Sequence, residues 1–121
     1  MSSEAITRND LKAVLDEVLP SPPTKQKAIL GDVTFTKTNG DNVVNVSGWG
    51  NATISSSAYT SIGTLPEELR PTDTRFVSAL CGNAITYNAI MRILPSGDVS
   101  LLSETSITNQ FFAIGGSYII V

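Results

Sequence analysis

Two different repeats of apolar residues divide the chain. Residues 8–19 place apolar side chains three and four positions apart, which is the spacing of one face of an α-helix. Thr7 stands where an N-cap residue is preferred, and Ile6 can pack against the first turn. The pattern therefore predicts one short helix with a continuous apolar stripe. This stripe is formed by Leu11, Val14, Leu15, Val18 and Leu19.

A proline-rich segment follows the predicted helix. Residues 19–24 read Leu-Pro-Ser-Pro-Pro-Thr, and such a segment forms an extended, semi-rigid spacer. A helix this short is marginal alone in water, so its stripe must be buried against something. We expect it to pack against copies of itself in a short parallel bundle, which makes residues 1–27 a trimerisation stem and linker. The alternative is that the stripe packs on the chain's own β domain.

From Ile29 onward apolar and polar residues alternate, which is the period of a β-strand. The sequence Thr-Asn-Gly-Asp at residues 38–41 lies between two alternating segments and predicts a tight hairpin turn. Gly-Trp-Gly at residues 48–50 interrupts the second segment. Its glycines allow either a bulge or a close approach of another part of the backbone.

The stretch from residue 63 to residue 71, Gly-Thr-Leu-Pro-Glu-Glu-Leu-Arg-Pro, is predicted to be the corner of the fold. Its two prolines fix the backbone and remove hydrogen-bond donors, which excludes a long helix or a central strand. Leu65 and Leu69 are spaced to anchor a crossover in the core, while Glu67 and Glu68 stay in water.

The second half of the chain also reads as strands. Residues 76–81 form a continuous apolar segment, typical of a strand in a sandwich interior. Residues 94–98 predict another hairpin turn, and residues 103–110 a polar connection. The last residues, 117–121, should form a strand paired within a sheet or against a neighbouring subunit, because an exposed apolar edge would aggregate.

Seven or eight short strands separated by turns indicate a mostly β protein. We predict an antiparallel, jelly-roll-like β-sandwich over residues 28–121, preceded by the short helix and the linker. A chain of 121 residues is long enough for one such domain with a real core.

Charge narrows the range of partners. The formal net charge is −3 at pH 7, so the chain has no basic field that would attract nucleic acid or anionic lipid. The N-terminus has no long apolar segment, which predicts neither a signal peptide nor membrane insertion. We therefore expect synthesis in the cytoplasm and no partnership with nucleic acid.

The sequence has few of the residues that common catalytic and metal sites need. The chain has no histidine and one cysteine, Cys81, which removes the common catalytic triads and zinc sites. Cys81 lies in an apolar run and is expected to be a core thiol. Glu67 and Glu68 are neighbours in a loop, and no pair of carboxylates can be placed as a glycosidase acid and nucleophile. We expect no enzymatic activity, no metal and no cofactor.

Trp49 is the residue with the sharpest functional interpretation. An indole held between glycines is suited to be a flat platform for a sugar ring, with Asn51 and Tyr59 as hydrogen-bonding neighbours. The alternative is a half-buried core tryptophan near a bulge, which the usual burial of tryptophan favours.

Three features together resemble a known group of proteins. They are the corner motif at residues 65–71, the strand and turn Arg-Ile-Leu-Pro-Ser-Gly-Asp-Val at residues 92–99, and the closing Tyr-Ile-Ile at residues 118–120. With them, residues 29–121 resemble the β-sandwich domains of phage tail fibres, baseplates and receptor-binding proteins, especially those of phages and prophages of Gram-positive bacteria.

The resemblance implies a non-enzymatic virion structural protein. Its expected form is a homotrimeric appendage head, held by the N-terminal stem, that recognises a saccharide on the host surface and contacts other tail proteins. Its expected location is the virion. The alternatives are a purely structural tail or baseplate connector, or a bacterial carbohydrate-binding accessory domain. No binding residue is carried over, because the motif records how strands turn and marks no site.

Overall fold

The computed structural model of the protein describes residues 25–121, and the predicted helix, its apolar stripe and the proline-rich linker lie outside them. Within these residues the elements are eight strands and one short 3-10 turn, Glu67–Leu69. The strands are β1 (Lys25–Leu30), β2 (Val33–Thr38), β3 (Val43–Ile54), β4 (Thr60–Thr64), β5 (Arg75–Cys81), β6 (Tyr87–Ile93), β7 (Asp98–Ser103) and β8 (Ile107–Ile119).

All eight strands belong to one antiparallel sheet with the order β1-β2-β3-β8-β5-β6-β7-β4. The sheet is nearly closed into a barrel, since its two edge strands approach each other. A Cβ atom added to Gly63 of β4 would lie 2.9 Å from the Cδ2 atom of Leu30 in β1. The prediction of a mostly β, antiparallel domain is confirmed.

The structure does not divide into the two separate sheets of the expected sandwich, since all eight described strands belong to one sheet. The cause is β8, which pairs with β3 over almost its whole length and with β5 along its other edge. β3 and β8, with 12 and 13 residues, are the longest strands. Both strands continue past the point at which a sandwich would separate into two sheets. The polar segment at 103–110 was expected to be a connection, but β8 already begins at Ile107.

Two alternatives were expected for Gly48 and Gly50 of β3, namely a bulge or a close approach of another part of the backbone. β3 runs through residues 48–50 without interruption, and its register shift lies between Ala52 and Ile54. The expected bulge at these residues is therefore wrong, but the expected close approach of backbone is confirmed. A Cβ atom at Gly48 would lie 2.8 Å from the Cα atom of Val33, and a Cβ atom at Gly50 would lie 2.7 Å from Cγ of Asp32.

The core consists of the inward side chains of the curled sheet. They alternate with outward residues along each strand, as the pleat requires. Cys81 is buried among them, as predicted, and its thiol lies 3.2 Å from the Ser103 hydroxyl. The most deeply buried large side chains include Phe35, Ile54, Leu65, Leu69, Met91, Ile93 and Ile107.

The corner is built as predicted. Leu65 and Leu69 are buried, and the two glutamates between them are exposed. The hydroxyl of Tyr118 donates a hydrogen bond of 2.7 Å to the Leu69 carbonyl. Burial raises the pKa of Tyr118 above its ordinary value. The corner thus ties the last strand to the crossover between the two halves of the sheet.

Candidate functional site

Trp49 stands on the outer face of β3 and is 73% exposed. The expectation of a half-buried core tryptophan is therefore wrong. The pleat explains the result, because Gly48 and Gly50 point inward, where Asp32 and Val33 leave no room for a side chain. The residue between them must then point outward.

Asn51 shares this outer face with Trp49. It lies two residues further along β3, so the two Cα atoms are separated by about 6.8 Å. Both side chains are exposed, and the neighbouring strand β8 places Ala113 beside Trp49 and Phe111 beside Asn51. The structure thus brings together two of the three residues that were proposed from the sequence as a sugar platform.

Tyr59 is not part of this group. It precedes β4, and its ring covers the guanidinium group of Arg92, whose Cζ atom lies 3.8 Å from the ring centroid. Four strands, β8, β5, β6 and β7, separate β3 from β4 in one direction around the sheet, and β2 and β1 separate them in the other. Tyr59 is close to Trp49 in the sequence but not in space, because the chain passes from β3 to β4 at the edge of the sheet.

A shallow trough lies beside Trp49 on the same outer face, across β8, β5 and β6. We call it the outer trough, and its volume is about 470 Å³. Trp49 pairs with Ala113, and Ala113 pairs with Leu80, so the trough begins one strand away from the indole. It is lined by Ser78, Ala79, Leu80, Asn88, Ala89, Ala113, Ile114 and Gly115.

The outer trough was not predicted from the sequence, because residues 76–81, which form β5, were expected to be a buried strand in a sandwich interior. Only the inward residues of this strand, such as Val77 and Ala79, are buried. Phe76 and Leu80 are 53% and 51% exposed. Since all strands belong to one curled sheet, no described element covers the outer face of β5. The signal in the sequence was the polar Ser78 within the otherwise apolar residues 76–81.

The outer trough is uncharged. None of its lining residues is acidic or basic. The Glu104 carboxylate lies beside the trough, since it accepts a 2.8 Å hydrogen bond from the backbone N–H of Asn88. Arg92, on the same face of β6, has its guanidinium group against Tyr59. The arrangement offers hydroxyl, amide and apolar groups to a ligand, and no fixed charge.

Residues with acid–base or ligand chemistry are scattered. Within residues 25–121 no three His, Cys, Asp or Glu side chains come together as a metal site. Glu67 and Glu68 are exposed side by side on the 3-10 turn of the corner. Over the same residues, no helix has the length and apolar character needed to cross a lipid bilayer.

The chain matches no model of a known protein family and no curated protein sequence. The resemblance to phage tail domains therefore stays a prediction from the sequence motifs.

Proposed function

We propose that the protein is a non-enzymatic structural protein of a phage or prophage tail, and that it acts as a homotrimeric appendage head that recognises saccharides on the host surface. The head in this proposal begins with β1 at Lys25, three residues before the boundary at residue 28 that was expected from the sequence, and residues 1–24 form the stem and linker. The protein is made in the bacterial cytoplasm and resides in the virion. Its partners are copies of itself, other tail proteins and a host saccharide.

One observation carries the saccharide part of the proposal, namely the exposed indole of Trp49 beside Asn51. Aromatic faces stack on the C–H faces of sugar rings, and an amide can accept and donate hydrogen bonds to sugar hydroxyls. The backbone that carries Trp49 has little freedom to move inward, because Gly48 lies against the backbone of Asp32 and Val33, and Gly50 lies against the Asp32 side chain. A rigid platform loses little entropy when it binds.

Trimerisation would compensate for a weak single site. A flat aromatic platform with one amide offers few contacts, so its affinity for one sugar is low. Several copies on one stem raise the effective affinity by two or more orders of magnitude when the ligands are closely spaced on a surface. The apolar stripe predicted in residues 8–19 supplies the contact between copies in this proposal.

We also propose that the curled sheet is a variant of the jelly-roll-like sandwich expected for such heads. In this variant the two layers are the two sheets of a sandwich, and β8 joins them. It pairs with β3 along one edge and with β5 along the other. The corner at Leu65 and Leu69 then marks the crossover between the layers.

The test combines an oligosaccharide array with a mass measurement on the same full-length preparation. We expect the wild-type chain to show about three times the mass of one 12.8 kDa chain by light scattering. We expect saturable binding on the array, and Trp49→Ala should reduce it at least tenfold without changing the mass or the far-UV circular dichroism.

Three further variants sharpen this test. Trp49→Phe keeps an aromatic face and should keep part of the binding. Leu15→Asp should reduce the mass to that of one chain, whereas Asn9→Asp, on the polar side of the same predicted helix, should not. A monomeric wild-type chain that binds no oligosaccharide would contradict the proposal.

A purely structural connector is a second candidate. It is favoured by the exposed apolar residues at the other end of the same outer face, where Val43 pairs with Ile119. Contiguous exposed apolar surface marks contacts with other proteins. A connector would assemble with other tail proteins and would show no binding on the array.

A further inference from the structure

Gly115 lies in the outer trough, and nothing within residues 25–121 requires a glycine there. Its φ is not in the left-handed region, and a Cβ atom built on it meets no atom within 4 Å. A glycine inside a strand weakens the strand and is typical of places where a ligand or another backbone approaches closely. The space above Gly115 is therefore not filled by residues 25–121, and a ligand could occupy it.

The residues around Gly115 extend this open space. Ser47 is its register partner in β3, and Ser78 and Ala113 line the trough beside it. All of them are small. Ala113 lies between the larger side chains of Trp49 and Leu80, and Ser47, Gly115 and Ser78 form the next row across the sheet, so the floor of the trough is low there. The volume of about 470 Å³ lies within the range of small-molecule sites.

Polar groups that can bind a ligand point into this trough. Within residues 25–121, the Ser78 hydroxyl and the Asn88 side-chain amide make no hydrogen bond, whereas the backbone N–H of Asn88 is held by Glu104. A hydroxyl and an amide can each both donate and accept. This is the pattern that sugar hydroxyls, which also donate and accept, can satisfy.

The charges in and around the trough favour neutral saccharides over anionic ones. The trough contains no cation to pair with a carboxylate, a sulfate or a phosphate, and the Glu104 carboxylate lies at its β6 end. An anionic group would lose hydration in the trough and gain no opposite charge. A neutral ring has no such cost.

We propose that Trp49 and the outer trough form one extended site for a neutral oligosaccharide. One sugar ring stacks on Trp49, and the next ring lies over Gly115 and Ser78 and reaches toward Asn88 on β6. This inference rests on the proposed saccharide recognition and adds the class of saccharide and the second subsite.

The test uses the full-length chain and an array that carries each neutral oligosaccharide beside a counterpart bearing uronic acid or sulfate. Gly115→Leu should fold normally, because the added side chain enters open space, and should fill the second subsite. We expect neutral binding at least ten times weaker than wild type. Thr36→Leu, which places the same side chain on the outer face of β2, should leave binding unchanged.

Three results separate the possible failures. If Gly115→Leu binds like wild type while Trp49→Ala loses binding, the platform stands and the extended site is overturned. If the acidic counterparts bind more tightly than the neutral ones, or if 0.5 M NaCl reduces binding tenfold, the neutral class is overturned. If no oligosaccharide binds, saccharide recognition itself is overturned. Unchanged neutral binding in 0.5 M NaCl supports the inference.

Discussion

The inner side of β3 and the outer trough both contain a mid-strand glycine, for opposite reasons. At Gly48 the backbone of β2 fills the place of a side chain, and at Gly115 the place is empty. The corner belongs with the first case, since Leu65, Leu69 and Tyr118 are each fixed by contacts that the chain makes with itself. The outer trough belongs to the second.

The difference separates residues that serve the fold from residues that serve something outside it. On the inner side, replacing a residue removes or forces a contact and costs stability. On the outer face of β3, β8 and β5, the same kind of change meets solvent. Changes on the inner side should therefore lower the free energy of unfolding, while changes in the trough should not lower it and should be detected as a loss of binding.

The largest effect is expected for Gly48→Ala. The new methyl group would overlap the backbone at Asp32 and Val33, which cannot move without disturbing β2. We expect a loss of about 2–3 kcal/mol in the free energy of unfolding, as for other overpacked positions. Urea denaturation followed by circular dichroism measures it. A loss below 0.5 kcal/mol would show that the β2 turn yields easily and that the inner face is less constrained than we argue.

A smaller effect is expected for Tyr118→Phe. The change leaves the Leu69 carbonyl without its hydrogen bond, and we expect a loss of about 1–2 kcal/mol at pH 7. Tyr87→Phe is the control, because its hydroxyl has no hydrogen-bond partner within residues 25–121, and it should cost less.

The same variant tests the pH dependence. Burial raises the pKa of Tyr118 above its ordinary 10.0 in the folded state, so the folded chain keeps a proton that the unfolded chain releases. The stabilising effect is complete below pH 10 and falls as the pH rises further. Tyr118→Phe should therefore lose less stability than wild type between pH 9 and pH 11. Equal losses in the two proteins would contradict this assignment.

The smallest effect, and the only one of opposite sign, is expected for Gly115→Ala. The methyl group enters open space in an extended strand, and the loss of glycine's flexibility should raise the free energy of unfolding by about 0.5–1 kcal/mol. Gly116→Ala is the matched control, because its methyl group would lie 3.0 Å from Val77 Cγ1 and should gain less. A destabilised Gly115→Ala would place an unseen contact of the chain itself in the trough.

Local sequence signals predicted much of the strand content of the described part. The hairpin at residues 38–41 was correct, because an Asn-Gly turn needs no distant contact, and the Asp41 N–H indeed bonds the Thr38 carbonyl. The corner was correct for a similar reason, since the prolines and the leucine spacing act locally. The start of β8 was missed, because threonine and asparagine resemble a loop unless the partner strand is known.

The candidate site was predicted in part. Trp49 and Asn51 share a face because they are two residues apart on one strand, which sequence spacing alone implies once the strand is known. The exposure of Trp49 was the less favoured of two alternatives from the sequence, since it depends on Asp32 and Val33 occupying the space inside β3. Tyr59 was wrongly grouped with them in space, because strand order cannot be read from proximity along the chain.

The sequence by itself determined most of the local structure of the described part, namely most of the strand segments, where the tight turns fall and which leucines anchor the corner. These depend on backbone preferences and on side-chain alternation, both of which are short-range. Only the tertiary structure decided that β8 joins all strands into one sheet. That pairing left the outer face of β5 uncovered and placed Gly115 beside Trp49, because contacts between strands distant in the chain depend on register and closure.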